Sequence, residues 1–296
     1  MKPRLSREDL SIARWTRALG SPRLVGLRHG LGHDCAVLAS PSKQLDLVLK
    51  TDAVVEGVHF LPSTPAPLAG RKAMARALSD LAAAGATPRA ALITVGCPNK
   101  KTASRLLAMY RGMARIARQA KVSVVGGETV RTRQLFLSVS LLGTVPRGTS
   151  PHRGGARPGH RLFVTGTLGG SWPRRHLTFT PRLREGQWLA RKKIPSAMMD
   201  LSDGLGADLP RLARMSRVGI RLSPEKLPLA SGATIRQAVS RGEDYELLFA
   251  VPPTKVARLL KTWPFPTRLT EIGICLSPRS RFQTGGLVLQ GYDHLR

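Results

Sequence analysis

Acidic side chains are scarce in this chain of 296 residues, 18 against 47 Lys and Arg. Eleven of them stand in short clusters flanked by Gly, Ser or Thr: Asp34, Asp52, Glu56, Asp80, Glu128, Asp200, Asp203, Asp208, Glu243, Asp244 and Glu246. Carboxylates that follow apolar runs, as in Val48-Leu49-Lys50-Thr51-Asp52 and Val124-Val125-Gly126-Gly127-Glu128, are expected at strand ends, where side chains converge on a ligand. Hard oxygen donors gathered in this way suit Mg2+, which in turn binds phosphates. Taken singly, each acid has a plainer reading: Asp203 can cap a helix starting at Gly204, and Asp80 can sit on a solvated face. Their clustering in so basic a chain favours the shared metal.

Other chemistries lose support. No Gly-x-x-x-x-Gly-Lys-Ser/Thr occurs, so a Walker-type phosphate cradle is absent. Gly30-Leu31-Gly32-His33-Asp34-Cys35 lacks the third glycine of a dinucleotide fingerprint and reads as a loop delivering Asp34. There is no Gly-x-Ser-x-Gly elbow or His-Glu-x-x-His helix, and the seven histidines are scattered. Cys35, Cys97 and Cys275 form no Cys-x-x-Cys pair, which excludes a disulfide framework, a zinc ribbon and a thioredoxin-like motif and fits a reducing cytoplasm.

The elements that must hold these residues follow from periodicity. Strands are expected at Leu45–Val55, Ala90–Val95, Val122–Val125 and Leu135–Val145, with helices at Leu68–Ala86 and Thr102–Ala120. Pro146–Gly159, rich in Pro, Gly and Arg, reads as a boundary loop. Beyond it come strands at Arg161–Thr165, Gly219–Leu222, Tyr245–Val251, Leu269–Cys275 and Leu287–Leu289, and helices at Leu205–Ser216 and Thr254–Thr262. The length suits two mixed α/β domains, and 42% hydrophobic residues are enough for a core.

The net charge of +29 suggests anionic partners, yet it is spread along the chain and only 5% of residues are aromatic. That argues against a base-stacking platform, so nucleic acid is expected only non-specifically, through charge. The stretch from Pro151 to Lys193, ten basic residues against Glu185 with Trp172 and Trp188 interleaved, is either a solvated surface or an anion-binding patch. Met1–Leu10 places Glu8 and Asp9 where a signal peptide needs its apolar run, and nothing approaches the roughly 18 apolar residues of a membrane span. A soluble chain is expected.

Nine short signatures, in order, carry a resemblance. They are Gly32-His33-Asp34-Cys35-Ala36, Thr51-Asp52 with Val55-Glu56-Gly57-Val58-His59-Phe60, Leu78-Ser79-Asp80-Leu81-Ala82-Ala83, Gly126-Gly127-Glu128-Thr129, Arg153–Gly159, Val164-Thr165-Gly166, Asp200-Leu201-Ser202-Asp203-Gly204-Leu205, Gly242–Leu247 and Gly291-Tyr292-Asp293-His294. Together they resemble the thiamine-monophosphate kinase family, within the superfamily that also holds aminoimidazole ribonucleotide synthetase and selenophosphate synthetase. The resemblance implies a two-domain, mixed α/β, aminoimidazole ribonucleotide synthetase-like fold. Residues 1–148 would form a sheet domain that pairs its strands in a homodimer, and residues 149–296 an α/β sandwich domain.

The implied activity is phosphorylation of thiamine monophosphate to thiamine diphosphate, with ATP as co-substrate and Mg2+ as cofactor. The resemblance places Mg2+ on Asp34, Thr51, Asp52, Asp80, Glu128, Asp200 and Asp203. It places ATP against Gly127, Glu128, Arg153 and Ser202, and the acceptor against His59, Glu243 and Tyr292. No general base is assigned, because the acceptor phosphate, with a second pKa of about 6, is already largely ionised at neutral pH.

The chain departs from the family at four places: two aspartates are usual where it has His33-Asp34, Ser or Thr at Lys50, aspartate at Glu128, and commonly aspartate at Gly170. Lys50 either replaces one metal's charge or points away on the strand's other face. Glu128 keeps the charge but adds a methylene, a shift of about an ångström in a geometry that Mg2+ holds tightly. The segment between Leu168 and Gln187 also looks shorter than in relatives. Two alternatives stay open: a catalytically weakened homologue whose basic surface binds an anionic partner, and another ATP-dependent enzyme of the superfamily. Selenophosphate synthetase is disfavoured because no Cys precedes Cys35.

Overall fold

The computed structural model describes residues 6–19, 24–280 and 282–295, so the first five residues of the Met1–Leu10 reading lie outside the described residues. Helix α1 (Arg7–Ala18) starts at Ser6, whose hydroxyl accepts from the Asp9 amide, the N-cap geometry that short hydroxyl side chains favour. Then come β1 (Leu27–His29), β2 (Ala36–Ala39), β3 (Leu45–Val55), α2 (Ala66–Ala83), β4 (Thr87–Cys97), α3 (Lys100–Gln119), β5 (Ser123–Arg131) and β6 (Phe136–Pro146). Six strands make one sheet in the order β1-β2-β3-β6-β4-β5. Only β4 and β5 are parallel, the pair that the long crossover helix α3 connects.

The second half contains β7 (Arg161–Thr165), a π-helical turn at Ser171–Arg175, α4 (His176–Thr178), α5 (Leu183–Arg191), β8 (Ala197–Asp200), α6 (Leu205–Ser216) and β9 (Gly219–Leu222). After it come α7 (Ile235–Ser240), β10 (Leu247–Val251), α8 (Pro253–Thr262) and β11 (Leu269–Leu276). Its five strands form an antiparallel sheet ordered β8-β10-β7-β11-β9.

Between the two sheets lies α2. It packs on β3 and β6 on one side and on α5 and β8 on the other, and 13 of its 18 residues are buried. A helix covered on most of its circumference needs small side chains where backbones meet. A Cβ on Gly70 would overlap the Met109 backbone of α3, one on Gly112 would overlap the Pro67 carbonyl, and one on Gly186 would overlap the Ala82 carbonyl.

Several expectations need correction. The helix expected at Leu68–Ala86 ends at Ala83, and Thr87-Pro88 opens β4 instead of merely closing the helix. The strand expected to stop at Val125 continues to Arg131, because β4 carries the parallel ladder through Gly126, Gly127 and Glu128; Glu128 is therefore inside an edge strand, not at a strand end. Tyr245 precedes β10 in a left-handed conformation (φ 51°). Leu287–Leu289 is no strand: its leucines pack on the second core while only Gln283 bridges to Arg221. The reading missed α1, β1, β2, α4, α5, β8 and α7. Among the described residues no helix is long and apolar enough to cross a membrane.

Gly112→Ala should lower the free energy of unfolding by about 2 kcal/mol, the usual scale of overpacking. Urea denaturation measures it, and an unchanged midpoint would show that α2 and α3 can move apart at no cost.

Candidate active site

On α2 the residues Lys72, Arg76, Ser79 and Asp80 recur at i, i+4, i+7 and i+8, a polar stripe about 12 Å long on a buried helix. Each meets a partner from another element. Lys72 Nζ lies 2.5 Å from Glu243 Oε1 and 2.8 Å from His176 Nδ1, and donates to the His59 carbonyl. Arg76 Nε lies 3.2 Å from Asp52 Oδ2, and Ser79 Oγ donates to Asp200 Oδ2 at 2.7 Å. Asp80 Oδ1 receives Lys50 Nζ at 2.8 Å.

At the C-terminal end of this stripe three carboxylates converge. The turn after β1 delivers Asp34, α2 delivers Asp80 and the last residue of β8 is Asp200; one oxygen of each lies within 4.8 Å of the others. All three are buried. Burial, aided by the charge of Asp34, pushes the Asp200 carboxyl up to about 7. Two cations relieve the crowding. Arg153 reaches Asp34 with Nη2 at 2.6 Å and Nε at 3.3 Å, and Lys50 reaches Asp80. Burial works against both charges, but the facing carboxylates outweigh it and hold each cation protonated. A cluster of hard oxygens whose burial favours protonation is one that Mg2+ fits by charge and by donor type.

Asp52 and Asp203 border this cluster, each facing an arginine. Asp52 pairs with Arg76 and accepts the Ala53 amide at 2.8 Å. Asp203 pairs with Arg211, which also binds Asp208 at 3.0 Å and Asp9 of α1 at 3.0 Å. The cap reading for Asp203 fails, since the N-cap of α6 is Gly204 without a side-chain bond.

The other end of the stripe gathers the residues expected at the acceptor. His59 Nδ1 accepts the Val55 amide at 3.1 Å, and burial together with Arg76, His294 and Lys72 brings its pKa down to about 4, so the ring is neutral. Glu243 (φ 72°) donates its amide to the Ser202 carbonyl at 2.7 Å; although burial opposes it, His176 and Lys72 hold its carboxyl down at about 2. The Tyr292 amide donates to the Asp203 carbonyl at 2.9 Å, and its ring meets His294, which faces His59 at 5.4 Å. Trp172 stacks on His176 at 4.0 Å. Lys72, Arg76 and His176 were missed, and Trp172 was singled out only as part of the basic stretch, not as a neighbour of Glu243. The one available signal was the pair of cations, Lys72 and Arg76, interrupting an Ala-rich apolar helix.

Thr51, Gly127 and Glu128 are not brought to this cluster within one chain. In β3 the side chains of Lys50 and Asp52 face α2, whereas Thr51 points to the outer face, where its hydroxyl meets Ser140 Oγ at 3.0 Å. Glu128 registers with Thr94 on that same outer face, and β6 and β4 separate β5 from β3, about 14 Å at the usual strand spacing. His33 joins His29 and His152, ring against ring, and not the carboxylates. At Gly170 a Cβ would overlap that of Ala230, so an aspartate has no room there. Four of the eleven singled-out acids are ties within the fold: Glu56 holds Arg105, Glu246 holds Arg175 and Arg182, Asp208 holds Arg211, and Asp244 accepts the Gly169 amide. The basic stretch divides likewise, Arg153, Arg175 and Arg182 turning inward to these carboxylates.

The family described as "AIR synthase related protein, N-terminal domain" matches residues 32–145. The thiamine-monophosphate kinase of Salmonella typhimurium is 37% identical, with 81% of each chain covered, and that of Caulobacter vibrioides is 34% identical over 93% of this chain and 83% of its own. Among solved structures, AaThiL complexed with AMPPCP and TMP superposes with a TM-score of 0.83 at 31% identity, covering 98% of this chain and 97% of that one. The thiamine monophosphate kinase of Aquifex aeolicus gives 0.76 at 30%, covering 95% and 97%. With such identity across most of both lengths, joined to the carboxylate cluster and the polar stripe, the chain belongs to the thiamine-monophosphate kinase family.

Proposed function

We propose that this chain transfers the γ-phosphoryl group of ATP to the phosphate of thiamine monophosphate, giving thiamine diphosphate and ADP, as a cytoplasmic homodimer built from domains 1–148 and 149–296. The observation that carries the reading is the stripe on α2, which fixes the carboxylate cluster about 12 Å from the Lys72, Glu243 and His59 group on one rigid element. That span suits an acceptor with an organic ring system at one end and a phosphate at the other. Phosphoryl transfer between two anions asks for alignment and charge neutralisation. Mg2+ held by Asp34, Asp80 and Asp200, with Asp52 and Asp203 beside them, would screen the repulsion between the reacting phosphates. Arg153 supplies further positive charge, and its rigid planar fork suits phosphate oxygens. His59, neutral at working pH, holds the acceptor by a hydrogen bond without adding charge. Glu243 keeps an anionic wall toward the cationic thiazolium. The three cysteines are free, as a reducing compartment would leave them.

Thr51, Gly127 and Glu128 support the homodimer. Thr51 and Glu128 lie on an outer sheet face that exposes Leu49 and Leu92, and Gly127, Val124 and Val125 belong to an edge strand in which every residue is exposed. Such an edge is a template for another chain. A second copy paired along this edge is the arrangement in which the partner's Glu128 would reach the cluster of the first.

Turnover of thiamine monophosphate with ATP and Mg2+ tests the reading. Asp80→Asn should cost at least about 100-fold in kcat with circular dichroism unchanged, and His59→Ala should raise the KM for thiamine monophosphate more than that for ATP. Near-normal turnover of a folded Asp80→Asn chain would sink the assignment.

Mg2+ should also stabilise in a pH-dependent way. Between the ordinary carboxyl range near 4 and its own value near 7, folded Asp200 holds a proton that the unfolded chain releases, so metal-free stability falls as pH rises through this window. Mg2+ competes with that proton, and its addition should raise Tm more at about pH 8 than at about pH 5.5. Equal shifts would show that Asp200 is ionised throughout.

Finally, mixing Glu128→Gln chains with Asp80→Asn chains and letting subunits exchange should recover up to about a quarter of the parental activity, since half of the dimers are hybrid and each hybrid has one intact site. No recovery, with hybrids present by mass spectrometry, would place Glu128 in its own chain's site.

A further inference from the structure

The side chain of Lys50 is 22% exposed and lies on the α2-facing side of β3, the side that also carries Asp52. Its ammonium is 2.8 Å from Asp80 Oδ1 and also feels the charge of Asp52, while the Asp80 side chain is 10% exposed. Among the described residues Lys50 is the one cation paired with Asp80, as Arg153 is with Asp34, whereas Asp200 has only the neutral Ser79 hydroxyl. An ammonium is a compact point charge with three donors, so it can satisfy a carboxylate much as a small ion does. It differs from Mg2+ in two ways: it is tethered by a strand, and it brings no exchangeable water.

We propose that Lys50 is a built-in cation that permanently fills one of the positions the carboxylate cluster offers to divalent ions, so that the working site takes one metal ion fewer than its carboxylates could hold. Lys50 acts through Asp80 and is therefore a positioning residue. Its consequence for turnover rests on the kinase reading, but the ion count does not.

The test counts Mn2+ bound per chain, from the electron paramagnetic resonance of free Mn2+, in the full-length protein, Lys50→Thr and Lys50→Arg. Lys50→Thr, which removes the ammonium and offers a hydroxyl, should bind one more Mn2+ per chain, while Lys50→Arg keeps the parental number. In turnover, Lys50→Thr should need severalfold more Mg2+ for half-maximal rate and rise more steeply with it. If Lys50→Thr does not fold by circular dichroism, Lys50→Gln takes its place with the same expectation. An unchanged count in the folded neutral variant, or a gained ion in Lys50→Arg, would overturn the proposal. A gained ion in a protein that makes no thiamine diphosphate would leave Lys50 as a built-in cation and refute the kinase reading instead.

Discussion

Carboxylates repel at close range, and bringing Asp34, Asp80 and Asp200 within 4.8 Å of one another is the constraint around which the molecule is arranged. Two such charges about 4 Å apart cost about 4 kcal/mol at an effective dielectric near 20. Left alone, three of them would be protonated or pushed apart. Instead Arg153 arrives from the segment between the sheets, Lys50 from the inner face of β3, and Ser79 from the helix turn beside Asp80. The same logic extends outward, since Arg76 balances Asp52 while Arg211 gathers Asp203, Asp208 and Asp9. A chain with few acids and many bases can supply a counter-charge for nearly every carboxylate it buries.

This balance also explains how the first half of the molecule is attached to the second. Asp34, Lys50 and Asp80 come from the first sheet and its helix, Arg153 and Asp200 from beyond them, so the charge cluster is itself part of the contact. At its border Arg211 holds α1 by Asp9, and Asp293 accepts the amides of Arg7 and Glu8 at the start of that helix, where a negative charge is favoured. The Tyr292 amide on the Asp203 carbonyl completes this side. Residues far apart in sequence are thus drawn to one edge of the site by the same few charges.

Much of this was legible in the sequence because scarcity made the acids conspicuous and short signatures fixed their order. Asp34, Asp80 and Asp200 are together as expected, and His59 and Glu243 meet through a lysine. What escaped has physical causes. Lys72 and Arg76 look like the solvated face of an amphipathic helix, and periodicity does not say that the second sheet covers that face. Thr51 and Asp52 are adjacent, so they must point to opposite faces, yet only the position of α2 decides which is inward. Gly126-Gly127 looks like the end of a strand, and only the partner strand β4 shows that the ladder passes through. The basic stretch after Pro151 reads most plainly as surface because its anionic partners are distant in sequence, Asp34 lying 119 residues from Arg153 and Glu246 71 and 64 residues from Arg175 and Arg182.

The stripe on α2 also bears on which changes of length the chain can survive. Each residue turns the helix by about 100° and advances it by about 1.5 Å. One residue inserted between Arg76 and Ser79 would leave Lys72 and Arg76 facing Glu243 and Asp52 but swing Ser79 and Asp80 into the apolar packing around Leu78 and Leu81. Both halves would keep their composition and lose their alignment. The helix is thus a ruler: a changed side chain alters one contact, whereas an insertion or deletion between positions 72 and 80 shifts one end of the site against the other.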